Sequence, residues 1–178
     1  MSHKAKFRLS VFVYSLICDI PVSFFLCLAS AIIAQTDLEA GVMTISFATI
    51  DWMNFLTNFV IALTLSLIIS NFIPLTAIGR WFTALFHVPN QTYTHNMKYR
   101  LLSTLAISFI FFIIISPTLT VINCFILPLV EGTDPLSWKQ ALLIFFINAP
   151  IMLLVGFVSS LINDIIAFKA AHAIDDSF

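Results

Sequence analysis

Residues 101–130 read LLSTLAISFIFFIIISPTLTVINCFILPLV, 30 positions without an Asp, Glu, Lys or Arg. At a rise of about 1.5 Å per residue, such a run is long enough as a helix to cross the roughly 30 Å hydrocarbon core of a bilayer. Two further stretches lack charge altogether, the 28 residues Trp52–Gly79 and the 24 residues Gln140–Asn163. A fourth apolar run, residues 9–35, carries a single charge, Asp19. The expectation is four transmembrane helices, at about 9–35, 46–76, 100–129 and 138–168. Barrel strands are rejected because they are short and alternate apolar with polar residues, which these runs do not. The fold class read from the sequence is therefore all-α, a polytopic membrane protein.

Composition agrees. Of 178 residues, 60% are apolar and 10% charged, and mean hydropathy is +1.04. A soluble domain carries about 25% charged residues and cannot hide so large an apolar share in one core. The partner implied is the lipid bilayer. A net charge of −1 gives no basic field for nucleic acid. Cys18, Cys27 and Cys124 lie in apolar runs with no CxxC and no nearby His, and read as small hydrophobes. The N-terminal run, preceded by Lys4, Lys6 and Arg8, superficially matches a secretory signal. It is too long for a signal core and contains Asp19 and Pro21, so it reads as a retained anchor helix.

Lys and Arg set the expected orientation. Lys4, Lys6, Arg8, Arg80, Lys98, Arg100 and Lys169 fall on one side, and only Lys139 on the other. The positive-inside rule then places both termini in the cytoplasm, with a bacterial inner (plasma) membrane as the expected location. The outer loops, Thr36–Thr44 and Val130–Ser137, are short and acidic, which makes consecutive helices antiparallel neighbours. The segment Ala77–Phe86 either lies along the interface or continues span two into water. Residues 1–86 form a first helix pair, 87–97 a cytoplasmic loop and 98–178 a second pair. Lys6-Phe7-Arg8-Leu9 and Lys98-Tyr99-Arg100-Leu101 open spans one and three, and Trp52 and Trp138 open spans two and four. This layout fits a tandem pair of two-helix units as well as it fits membrane topology alone.

Polar groups at membrane depth are the candidate site. Asp19 lies eleven residues past Arg8, about 16 Å along a helix and so near the midplane. An ionised carboxylate there costs about 2.5–3.5 kcal/mol on insertion scales, so it faces the bundle interior, a water-filled cavity, or carries a proton. One reading makes it a proton or cation relay, the other a protonated carboxyl bonded to a neighbouring helix. Asn148, ten residues past Trp138, falls at nearly the same expected depth and is its candidate partner. Pro21, Pro117 and Pro150 mark kinks near this site. Asn58, Thr64 and Asn123 are secondary polar positions, suited to bonds between helices. Asp51 suits a helix N-cap, and Asn163 and Asp164 read as solvated at the interface. Four glycines and no GxxxG mean that close backbone packing is not encoded in that way.

No P-loop, HExxH or GxSxG occurs, every His lies outside the spans, and no metal-ligand spacing is present. No enzymatic chemistry, cofactor or metal is expected. Span two and span four share a pattern of Trp, an aromatic-rich turn, then Ile61-Ala62-Leu63 or Asn148-Ala149-Pro150. This pattern resembles a family of short bacterial two-helix membrane proteins of unknown function, and the chain resembles a tandem duplication of such units. It is also similar in layout to small four-helix proton-coupled drug exporters, but lacks their Arg…His and Phe-Glu signatures, so no site residues carry over. The favoured expectation is a transporter or transporter component with Asp19 as coupling or substrate-contacting group. The alternative is an accessory or scaffold subunit that binds another membrane protein and transports nothing itself; besides lipid, the partner expected is a second copy of the chain or another membrane protein.

Overall fold

The structure, a computed structural model, describes residues 3–33, 50–89 and 96–175. Five helices account for nearly all of them, and no strand occurs among the described residues. They are α1 (His3–Ile33), α2 (Trp52–Phe72), α3 (Leu75–Leu85), α4 (Met97–Glu131) and α5 (Trp138–Ile174). Four of them are long and apolar enough to span a membrane. The chain is an all-helical membrane protein. The expected first loop, the start of span two at 46 and His95 lie outside the described residues.

Local chemistry explains the boundaries. Asp51 caps α2, its side chain accepting from the amides of Met53 and Asn54 at 3.0 and 3.1 Å, as expected. Asn96 does the same for α4. Ser137 and Gln140 form a reciprocal capping box at the start of α5. Span two is shorter than expected at its far end. Pro74 disfavours the helical region for the residue before it, and Ile73 is extended, at φ −97° and ψ 131°. The chain then starts again as α3, so Ala77–Leu85 belongs to a separate helix.

The helix α4 runs through Pro117 but widens into a π turn over Ile122–Ile126. Pro128, four residues past Cys124, has no amide to offer the Cys124 carbonyl. The Leu136 amide takes that acceptor instead, at 3.0 Å. Gly132 ends α4 in the left-handed region at φ 74°, and Thr133 bonds back to the Pro128 carbonyl at 2.8 Å.

The four long helices form a ring in which each packs antiparallel to two others. α1 lies between α2 and α5, and α4 lies between α5 and α2. The α1–α5 interface is the most extensive, whereas α2 touches α4 only lightly. α3 packs on the first turns of α4. A Cβ on Gly79 would sit 3.1 Å from the Ser103 Cβ, so this approach depends on glycine. The core between the long helices is Val22, Leu26, Ile69, Phe111, Ile115 and Met152 with their neighbours. Close packing is nonetheless encoded, by small residues other than glycine pairs. Ser23, Ser66, Ala62, Ala167 and Ala171 have no measurable exposure. Large side chains such as Phe72, Val130 and Phe146 face outward, as they do on a lipid-facing surface.

Candidate functional site

Side-chain pairs fix the register of the helices. Tyr14 on α1 donates to the Asp164 carboxylate on α5, and a Cβ at Gly156 would meet Leu26 at 3.6 Å. On α1 and α2, Ser70 donates to Asp19 Oδ2 at 2.9 Å, and the Ser23 and Ser66 hydroxyls meet at 3.3 Å. On α4 and α5, Arg100 Nε lies 3.6 Å from Asp164 Oδ2, and Arg100 also donates to the Leu161 carbonyl.

The charged and hydrogen-bonding groups from Tyr14 to Asp19 and from Leu161 to Asp164 gather within about two helical turns. Asp19 is 3% exposed and faces the bundle interior, not its periphery. Asp164 is equally buried, and the Arg100 side chain is 13% exposed. The Cys18 thiol bonds Tyr14 and stands within electrostatic reach of Asp164 and Asp19. Two carboxyls, one guanidinium, a phenol, a thiol and the Ser70 hydroxyl thus come from all four long helices. With both acids and the arginine ionised, the cluster holds a net charge of −1 (two acids against one base). Burial of this many charges is costly unless they are paired and hydrogen-bonded; Arg100 and Asp164 pair with one another, and their hydrogen bonds come from Tyr14 to Asp164 and from Arg100 to the Leu161 carbonyl.

The structure corrects the expected partner of Asp19. With Tyr14 opposite Asp164 and Leu26 opposite Gly156, Asp19 falls opposite residues near 160 on α5. Asn148 is about twelve residues further along, roughly 18 Å away along the axis. The expected common depth assumed that α1 and α5 span the same slab from their first charge or Trp. In fact α1 begins at His3 and α5 runs on to Ile174, so their ends are staggered against α2 and α4. Asp19, midway along α1, is therefore level with Ser70 near the end of α2.

Asn148 is 6% exposed, and its Oδ1 has no hydrogen-bond partner among the described residues. The register places it opposite Ser116 on α4, whose hydroxyl makes a long 3.6 Å contact with the Met152 sulfur. Asn58 and Asn123 do meet, exchanging amide bonds of 2.9 and 3.1 Å between α2 and α4 inside the π turn. Thr64 does not join them; it is exposed and bonds the Val60 carbonyl of its own helix at 2.7 Å. Pro21, Pro117 and Pro150 all lie inside continuous helix; Pro117 and Pro150 face outward, and Pro21 lies two residues from Asp19.

Sequence reasoning missed Arg100, Asp164 and Tyr14. Asp164 read as solvated because of its place near the end of span four, but α1 covers it. The signal was present as opposite charges at matching positions on two antiparallel neighbours. A small void of about 10 Å³ lies further inside, between α1, α4 and α5. Asp19 does not line it. No family model, curated protein or solved structure matches the chain, so the functional reading rests on this geometry.

Proposed function

We propose that this protein is a small membrane transporter, or a subunit of one, in which Asp19 is the coupling carboxyl and the proton its ligand. The observation that carries this reading is that Asp19 is buried against a neighbouring helix, within about two turns of the Arg100–Asp164 pair. A carboxyl in such a place is expensive, and intramembrane ionisable groups of this kind mark ion pathways and proton relays. One guanidinium cannot balance two carboxylates, and a proton on one acid neutralises the cluster. Ser70 holds Asp19 in place and links it to α2, so a change in the charge of Asp19 alters a contact between helices. In this reading the excess of Lys and Arg puts both termini in the cytoplasm of a bacterial inner membrane. The reading includes no catalysis and no cofactor.

The test is proton flux into vesicles. Wild-type protein in liposomes loaded with a pH-sensitive dye, driven by a potassium diffusion potential, is expected to carry protons faster than empty vesicles. Asp19→Asn is expected to lower that rate by about tenfold or more, the scale of losing a positioned proton-transfer group. Equal rates for mutant and wild type overturn the coupling role. A wild-type rate no higher than that of empty vesicles, with a stoichiometric membrane-protein partner retained in mild detergent, gives the scaffold reading in its place.

A further inference from the structure

The Arg100–Asp164 pair sets the stagger of α4 against α5. Four residues further in on each helix, Thr104 falls opposite Ser160; four more bring Ser108 opposite Gly156. Thr104 and Ser108 are buried, at 3% and 5% exposure. Gly156 has no side chain to fill the space across from Ser108, and the void of about 10 Å³ lies there, between these two residues and Val22 and Leu26 of α1. The Ser108 hydroxyl has no hydrogen-bond partner among the described residues. A buried hydroxyl without a partner is costly, and a void of about 10–15 Å³ beside polar groups is the size that takes one water molecule. Ser116 and Ser160 also line the void, while the rest of its wall is apolar, from Val22, Leu26, Phe111, Phe112, Ile115 and Met152.

We propose that this void is an internal water site with Ser108 as its principal ligand. Its water is the first step inward for a proton leaving the charged cluster. From the Arg100–Asp164 pair, the Thr104/Ser160 level, near which Asp19 falls, and the Ser108 level follow each other at about 6 Å intervals along the helix axes. Val22, which lines the void, is one turn along α1 from Asp19. The water site stands on its own geometry, whereas its role in conduction rests on the transport reading above.

The experiment is water-edited solid-state NMR of the full chain in bilayers, with glycine, serine and alanine labelled. Four glycines make the Gly156 signal simple to assign. Expected is a water build-up at Gly156 Cα approaching that of loop residue Gly132 and about fivefold or more faster than that at Ala62, which has no measurable exposure. Gly156→Ala fills the void without a clash, its Cβ meeting Leu26 at 3.6 Å, and is expected to dry the Ser108 signal. A Gly156 as dry as Ala62 in the wild-type protein overturns the site. A wet Gly156, with proton flux in Ser108→Ala reduced about fivefold or more, supports both parts of the proposal. A wet Gly156 with unchanged flux in Ser108→Ala overturns the conduction step and leaves the water site. Because the NMR arm reads no flux, a failure of the transport reading is told apart from a failure of the site.

Discussion

Arg100 and Asp164 are each worth less together than either costs alone. Removing one partner of a buried ion pair leaves an uncompensated charge, at a cost of about 3–5 kcal/mol, whereas replacing both by apolar side chains of similar volume is often neutral. Arg100→Met and Asp164→Leu are each expected to destabilise the folded bundle on that scale, and the double variant to recover most of the loss. Denaturant unfolding in mixed micelles, followed by tryptophan fluorescence or circular dichroism, reads the difference. Additive losses in the double variant mean that the two groups are stabilised by other contacts and that the pair is incidental. Tyr14→Phe, which deletes one donor to Asp164, is expected to cost only about 1–3 kcal/mol. At this scale the sequence was legible for Asp51, because a cap acts within three residues of its own helix. It was not legible for Asp164, because its partners stand on α1 and α4, and no local pattern records which helix covers which.

The break between α2 and α3 sits at a proline, and the contact of α3 with α4 depends on one small residue. Ser103 approaches Gly79 so closely that even a Cβ there presses on it at 3.1 Å, and a large side chain has to move the helix. Gly79→Leu is expected to detach α3 from α4 while α2 remains helical, since Pro74 already separates the two. Cysteines placed at Ala77 and Tyr99 for distance measurement by spin labels give the readout. An unchanged distance distribution in Gly79→Leu shows that α3 is held by something other than this contact. The Asn58–Asn123 exchange makes a second test between elements. Polar contacts between membrane helices average about 0.6 kcal/mol in double-mutant cycles, with a maximum near 1.7. A coupling of that size between Asn58→Ala and Asn123→Ala is expected, and a coupling indistinguishable from zero removes its role as a tie between α2 and α4. The spans were readable from gaps in charge, because length and apolarity are properties of one segment. The π turn was not, because the Cys124 carbonyl freed by Pro128 is taken by Leu136, beyond the end of α4.

At the scale of the molecule, the two helix hairpins open on similar residues. The Lys6 and Lys98 openings differ by 92 residues, and Trp52 and Trp138 by 86. Adding these offsets to the pair Asp19–Ser70 gives Phe111 and Gly156, and to Ser23–Ser66 gives Ile115 and Met152; all four resulting residues line the void of about 10 Å³. The charged cluster draws on all four long helices, whereas the void lies between α1, α4 and α5. The largest interface is not within a hairpin but between α1 and α5, where Tyr14 reaches Asp164. Each hairpin alone therefore leaves a polar group without its partner: the second strands Asp164 without Tyr14, and the first exposes the α1 face that α5 covers. Fragments 1–89 and 96–178, co-expressed as separate chains, are expected to copurify, because the contact that holds the bundle does not need the segment joining them. Either fragment expressed alone is expected to accumulate poorly or to aggregate in mild detergent. Two fragments that fold separately and ignore each other would place the stability within the hairpins. The proximity of Asp19, Arg100 and Asp164 would then be a by-product of helix length and not a site assembled by both halves.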